Sequence, residues 1–364
     1  MPPGAAMQAL IVGGGPAGSA VAITLARAGM TPHLIERQPH SRNGVCGGFL
    51  GWDALAALDR LGVDPWSLGA RPIARFRLVT GHRTVEADLP QIAAGLSRQT
   101  LDAALLDAAA QAGALVTRGR TVRRADPLAR TLRFDDGEEA AASAIFLATG
   151  KHELRGLSRH FPHSSVGLRA TLPPSSRLDG LADRVELHLF DQGYAGLLLQ
   201  EDGSANLCLS VSRDRLGGAG GIPALLAQLL EEAPALSARL GGQVPAHFDA
   251  IAGVPYGWRA RDSQEGIFRV GDQAAVIASL AGDGIAIALA SGASAARAML
   301  AGGPEAAPTW QRHLNRQSRR PVAIAEALRH GAAAPATRGA LMQLLHMLPG
   351  LGTQAAALTR ISRD

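Results

Sequence analysis

The residues near the start of the chain best placed to do chemistry are glycines. Gly13, Gly15 and Gly18 are spaced Gly-x-Gly-x-x-Gly directly after the apolar run Ala9-Leu10-Ile11-Val12. The first glycine permits a tight turn, the second lets the backbone approach a pyrophosphate, and the third lets a helix pack closely on its strand. Pro16, Ala17 and Gly18 then open a helix predicted over residues 16–28 and closed by Gly29, whose free N-terminal N–H groups suit phosphate. Glu36 lies eighteen residues after Gly18, at the end of the apolar His33-Leu34-Ile35 segment, with Arg37 beside it. A carboxylate there accepts hydrogen bonds from both hydroxyls of an adenosine ribose and repels a 2′-phosphate. Strand, turn, helix, strand and acid together read as a dinucleotide-binding unit, against the plainer alternative of a glycine-rich turn in another α/β fold.

A second glycine cluster, Gly217-Gly218-Ala219-Gly220-Gly221, carries Pro223 at the third fingerprint position and reads as a loop. Without a second nucleotide fold, a nicotinamide donor has to bind transiently, which makes a flavin the resident dinucleotide. Two cysteines, Cys46 and Cys208, cannot build a disulfide framework or a four-thiolate site and suit a reducing cytoplasm. His160 and His163 are three apart, but Pro162 breaks any helix between them and nothing completes a ligand set, so no metal site is expected.

These residues need elements to hold them. At roughly 150 residues per domain, 364 residues suggest two domains or one divided fold with a large core. With 47% apolar and 18% charged residues the composition is that of a globular protein, which excludes fibres and disordered tails. Lys151 is the one lysine among 36 basic residues. Residues 309–364 hold eight arginines against Glu326 and Asp364, so this tail carries +6 of the chain's +5 and the preceding 308 residues sum to −1. No aromatic-interleaved basic stripe accompanies it, and nucleic acid is not expected as a partner. No basic n-region precedes Ala9-Leu10-Ile11-Val12, and Asp283 interrupts the apolar stretch 276–300, so neither a signal peptide nor a spanning helix is expected.

Further helices are predicted over residues 53–61 and 100–112, and a buried strand over 144–147. Strand-like runs at 76–79, 185–190, 195–199 and 207–211 suggest an antiparallel sheet inserted into the nucleotide fold. From residue 307 the pattern is helical and amphipathic, interrupted by Pro321, Pro335 and Pro349.

The strand Phe268-Arg269-Val270 ends in Gly271-Asp272, followed by Gly282-Asp283-Gly284-Ile285 and a helix to about Leu300. This resembles the second flavin motif of the p-hydroxybenzoate hydroxylase-like superfamily of FAD-dependent oxidoreductases. The resemblance implies that Asp272 hydrogen-bonds the ribityl chain and that the helix opening at Gly284 and Ile285 aims its N-terminus at the flavin pyrimidine. Arg98 with Leu101 and Asp102 resembles that family's arginine-led helix, implying contact near the phosphates. Thr121-Val122 occupies the place where its backbone meets adenine. Arg42 to Leu50, containing Cys46-Gly47-Gly48, is similar to the cysteine-glycine-glycine loop of the geranylgeranyl reductase-like branch, and Tyr194-Ala195-Gly196 sits where that branch carries an aromatic motif. Ser279 stands where the family carries proline, and Gln273 where alanine is common after Gly-Asp. The Trp-x-Trp-x-Ile-Pro sequence of flavin-dependent halogenases is absent.

The implied fold is α/β, α+β overall: a divided Rossmann-type FAD-binding domain (1–70, 96–165 and 250–305), an inserted antiparallel or mixed-sheet substrate domain (71–95 and 166–249), and a helical segment (306–364). The residues expected around noncovalent FAD are Gly13, Gly15, Pro16, Ala17, Gly18, Glu36, Arg37, Cys46, Gly47, Arg98, Val122, Gly271, Asp272, Gly282, Gly284 and Ile285. Cys46 and Tyr194 are the candidates for the reacting pocket. Cys46 also reads as a buried thiol, Cys208 as core filling, and His188 and Phe190 as structural, since strand alternation alone does not choose the inward face. The expected activity is an NAD(P)H-dependent monooxygenase acting on a small apolar aromatic, polyketide-like or lipid substrate; the alternatives are a reductase saturating carbon-carbon double bonds of an isoprenoid, and a flavin carrier without turnover. Arg312, Arg316, Arg319 and Arg320 read either as a solvated basic face or as a dock for an anionic membrane surface or an acidic carrier protein. Leu341, Leu344, Leu345 and Leu348 form an apolar stripe that packs on the body or borders a substrate tunnel. The expected location is cytoplasmic, with membrane-peripheral as the variant that the basic tail suggests.

Overall fold

The computed structural model describes residues 9–161, 165–348 and 350–360. Gln8, Pro162, His163, Pro349, Arg363 and Asp364, on which parts of the predicted first strand, the paired histidines, the last helix break and the basic tail rest, lie outside the described residues. The helices are α1 (Pro16–Arg27), α2 (Trp52–Arg60), α3 (Arg98–Gln111), α4 (Arg213–Ala219), α5 (Ile222–Glu232), α6 (Pro234–Leu240), α7 (Gly284–Gly302), α8 (Ala306–Ala333), α9 (Pro335–Met347) and α10 (Gly350–Leu358).

A five-stranded, all-parallel sheet forms the first layer, in the order Ile267–Arg269, Ala144–Leu147, Ala9–Val12, His33–Glu36, Leu115–Arg118. Ala9–Val12 and Ala144–Leu147 are buried at all four positions, as continuous apolar runs require when both faces are covered. Ala9, Ile11 and Phe146 face α1, α3 and α7, with Phe146 stacked on Phe268 at 4.7 Å between centroids. Leu10, Val12, Ile145 and Leu147 face a three-stranded antiparallel sheet that contributes Ala125, Leu132 and Phe134.

Eight strands form the second sheet, in the order Asp249–Val254, Ser165–Leu172, Ala205–Ser212, Gly193–Leu199, Arg184–Phe190, Arg71–Thr80, Arg83–Gly95, Phe49–Leu50. It is mixed, because Arg184–Phe190 pairs parallel to Arg71–Thr80 while its other pairings are antiparallel. Register settles which residues share a face. Leu168, Leu197, Leu207 and Phe190 pack under α5 and α6, whereas Arg169, Tyr194, Asn206 and Cys208 occupy the opposite face. His188 shares the face of Phe190 and hydrogen-bonds Glu186 at 2.9 Å, within a buried cluster that also pairs Glu186 with Arg77 and Arg239.

Two expectations need correction. Pro321 does not interrupt its helix: α8 runs through it, because Pro321 is buried and its neighbours Val322 and Ala325 pack on Ile277 and Ile287, a contact set that offsets the ~3 kcal/mol cost of an interior proline. The cluster at 217–221 is only partly a loop, since α4 continues to Ala219 before Gly220 (φ 83°) ends it in the left-handed region. Among the described residues α7 is the one helix long and apolar enough to cross a membrane. Half of it is buried, and Gly292 lets it lie against the Ala17 carbonyl of α1, where a Cβ would overlap. It is a core helix that carries its first turn to the site.

Candidate functional site

A cavity of about 980 Å³ runs from the glycine turn to the eight-stranded sheet. At its first end, Gly13 adopts φ +109°, a conformation that side chains rarely tolerate, and a Cβ there would strike the Ala148 carbonyl. A Cβ at Gly18 would overlap the Gly13 carbonyl, so Gly18 serves helix-strand packing and does not line the cavity. Gly13, Gly15, Pro16 and Ala17 do line it, at the N-terminus of α1, where the first turn of N–H groups is free to face phosphate.

Glu36 and Arg37 stand on the adjacent wall. The Glu36 carboxylate accepts from the Gly14 N–H at 2.7 Å and the Gln38 N–H at 2.8 Å, which fixes both oxygens while leaving each a lone pair for a ribose hydroxyl. Arg98 opens α3 and makes a two-pronged pair with Asp102, at 2.9 and 2.7 Å. Burial works against the Arg98 charge, and the Asp102 carboxylate more than restores it, so the guanidinium is held protonated beside the Cys46 thiol. Thr121 and Val122 approach from the three-stranded sheet.

Gly271, Asp272, Gly282, Gly284 and Ile285 line the far side, with the N-terminus of α7 between them. Asp272 is held by the Lys151 ammonium at 3.0 Å; burial opposes the lysine's charge, and Asp272 outweighs it and keeps the group protonated. Arg159 donates to the Asp272 carbonyl at 2.8 Å. The two departures from the family pattern have structural uses. Gln273 is fully buried and donates to the carbonyls of Gly150 and His152 at 2.9 Å each, pinning the turn that presents Lys151. Ser279, on the cavity wall, hydrogen-bonds the Tyr256 hydroxyl at 2.7 Å, a contact proline could not make.

Cys46 and Gly47 lie on the wall between the two ends. Their carbonyls both accept from Asn206 Nδ2, at 2.9 and 2.8 Å, so the loop is tied to the second sheet. The same wall carries the apolar residues Val45, Phe49, Phe248, Ile251, Val276 and Ile277, with Asp249 and Ser279 among them. Cys208 is on the same sheet face as Asn206, and burial pushes its thiol up to about 12, with the neighbouring Cys46 adding to the shift, which suits an inert core group. Tyr194 departs from expectation: it does not reach the cavity lining but packs with Leu189, Ala332, Met342 and Leu345 between the sheet and α8–α9. Its buried hydroxyl lies close to Ser279 and Tyr256, one layer behind the cavity wall. Leu345 joins that core, whereas Leu344 and Leu348 are exposed.

Sequence reasoning missed Lys151 as a wall residue, although its being the only lysine was a usable signal, and it missed Asn206, which carried none. The arrangement fits a flavin dinucleotide on this chain's own terms: backbone N–H groups at two helix N-termini, an acid for ribose, arginine and lysine charges between them, and an apolar chamber beyond.

Residues 6–149 match the FAD binding domain family. A candidate 2-heptyl-3-hydroxy-4(1H)-quinolone synthase, AqdB1 of Rhodococcus erythropolis, is 37% identical over 154 residues, 40% of this chain and 40% of that protein. The chloroplastic geranylgeranyl diphosphate reductase of Nicotiana tabacum is 33% identical over 119 residues, 31% of this chain and 24% of that one. The chain thus matches under half the length of either curated relative. Over nearly its whole length it shares the fold of PqsL, described as a probable FAD-dependent monooxygenase from Pseudomonas aeruginosa, with TM-score 0.70, 18% identity, and 93% and 99% of the two chains covered. The mixed α/β architecture, with its C-terminal helices, is therefore that of known flavoproteins, and residues 6–149 match an FAD binding domain.

Proposed function

We infer that the protein is an FAD-dependent monooxygenase that uses NAD(P)H to insert one oxygen atom from O2 into a small apolar aromatic, polyketide-like or lipid substrate, the other atom leaving as water. The observation that carries this reading is the continuity of the cavity: a polar, phosphate-suited end joined past the Cys46 loop to an apolar chamber. Bound FAD supplies the two-electron chemistry. The chain's own contributions are Glu36 and Arg98 at the dinucleotide's charged half, Asp272 held by Lys151 toward the ribityl chain, the α7 N-terminus beside the ring, and apolar walls that exclude water. The name of the Rhodococcus relative gives as that protein's product a hydroxylated ring with an alkyl tail, which supports an alkylated aromatic as the substrate class here.

The reductase reading keeps one supporting observation, the Cys46-Gly47-Gly48 loop, together with the shorter match to the tobacco enzyme. Turnover of a panel of alkylated aromatics and isoprenoids with NAD(P)H, in air and under nitrogen, separates the two. A monooxygenase forms a product 16 mass units heavier only in air; product gaining two hydrogens under nitrogen contradicts the proposal and favours the reductase.

A further inference from the structure

Asp283 sits between two cavity-lining residues, Gly282 and Gly284, at the N-cap of α7, yet it is 1% exposed and not itself part of the wall. It pairs with Arg360, 77 residues further on, just past α10. The Arg360 guanidinium also lies 3.9 Å over the Trp52 ring and fills space left by Gly51, where a Cβ would collide with it. Asp53 faces it as well. The other Asp283 oxygen, Oδ2, is buried without a hydrogen-bond partner among the described residues. The carboxylate therefore depends heavily on an arginine brought back from the C-terminal segment.

We propose that Arg360 is a positioning residue of the flavin site, acting through Asp283 to preserve the positive field that the α7 N-terminus directs at the cavity. A helix N-terminus carries roughly half a positive charge, and an unneutralised carboxylate at its cap reverses the sign of that field. With Arg360 in place the two side-chain charges offset one another and the backbone field remains. Burial works against the Arg360 charge and Asp53 favours it, and with Asp283 as its direct partner the guanidinium stays charged at neutral pH. Reduction places negative charge on the flavin ring, so the pair sets how much more tightly the site holds reduced than oxidised FAD. The inference rests on the FAD reading of this cavity and on nothing about the substrate.

The test is the flavin midpoint potential and FAD affinity of wild type, Arg360→Gln, Arg360→Lys, Asp283→Asn and the Asp283→Asn/Arg360→Gln double variant. Arg360→Gln lowers the ratio of reduced to oxidised FAD binding about tenfold, which for two electrons is about 30 mV more negative. Asp283→Asn moves the ratio by a similar factor the other way, the double variant returns toward wild type, and Arg360→Lys retains it. Opposite signs for the two single variants are what a merely structural clasp does not give. Should Arg360→Gln fail to fold, Asp283→Asn and the double variant decide the matter. Ratios within twofold of wild type throughout, or single variants shifting in the same direction, overturn the inference even if both lower the melting temperature. Wild-type protein that takes up no FAD overturns the flavin reading and this inference with it.

Discussion

The two ends of the cavity are built in different ways. At the dinucleotide end, Gly13, Gly15, Pro16, Ala17, Glu36 and Arg37 come from a stretch of 25 residues, and the contacts that matter are backbone conformations and a few short-range hydrogen bonds. Away from that stretch the wall is assembled from segments far apart in sequence: at the join the Cys46 carbonyl meets Asn206 160 residues away, and Asp283 behind the α7 turn meets Arg360. Where chemistry needs a particular backbone, the chain must write it locally; where it needs a volume, many side chains can enclose it and no spacing records which.

Substitutions at the two ends should therefore fail differently. The largest effect is expected from Gly13→Val, which needs a side chain at φ +109° and overlaps the Ala148 carbonyl. Flavin content per chain should fall by more than ~100-fold, equivalent to about 3 kcal/mol, with the eight-stranded sheet intact by circular dichroism. FAD bound at wild-type stoichiometry would show that the turn is not the phosphate site.

Next in size is Glu186, in the buried cluster on the outer face of the second sheet. Burial alone would raise its pKa; hydrogen bonds from His188 and Arg239, with Arg77, hold it well below the ordinary 4.5. Its contribution to stability is thus complete above about pH 4.5 and drains away as pH falls from there toward the depressed folded value. Glu186→Gln should cost about 2–3 kcal/mol at neutral pH, because Arg239 loses its carboxylate partner while Arg77 keeps Glu86, and should flatten the acid limb of melting temperature against pH. An equally steep acid limb in the variant would move the acid sensitivity elsewhere.

Asn206→Leu probes the join between the ends. It leaves the Cys46 and Gly47 carbonyls without their donor, at roughly 1–3 kcal/mol, and should loosen the loop so that the substrate KM rises about tenfold while FAD affinity changes less than threefold. The opposite pattern, FAD lost and KM unchanged, would place the loop at the dinucleotide end. The smallest effect is expected from Cys46→Ala, since the loop is held through its backbone carbonyls. kcat within threefold of wild type fits that account; a loss of 100-fold would make the thiol a participant.

The same division explains what was legible beforehand. The parallel sheet was readable because its strands are continuous apolar runs between glycine turns, and Gly271-Asp272 because a strand ending in that pair is a local signature. Tyr194 lies on the same sheet face as Asn206, yet the helices that cover it, α8 and α9, follow it by more than a hundred residues and left no local signal. Pro321 misled because its local cost is fixed while the packing that offsets it is tertiary. Ser279 and Gln273 were visible as departures, but their partners, Tyr256 and the Gly150–His152 turn, were not. Lys151 was conspicuous by composition alone; only the fold brings it to Asp272.

If the protein is a monooxygenase, FAD held at the polar end serves oxygen insertion at the apolar end. The most direct measurement is product mass after turnover of the FAD-loaded protein under 18O2 with NAD(P)H and an accepted apolar aromatic. One 18O atom in the product for each NAD(P)H consumed is the predicted result. Product formed without label, or formed equally well in the absence of oxygen, would contradict it.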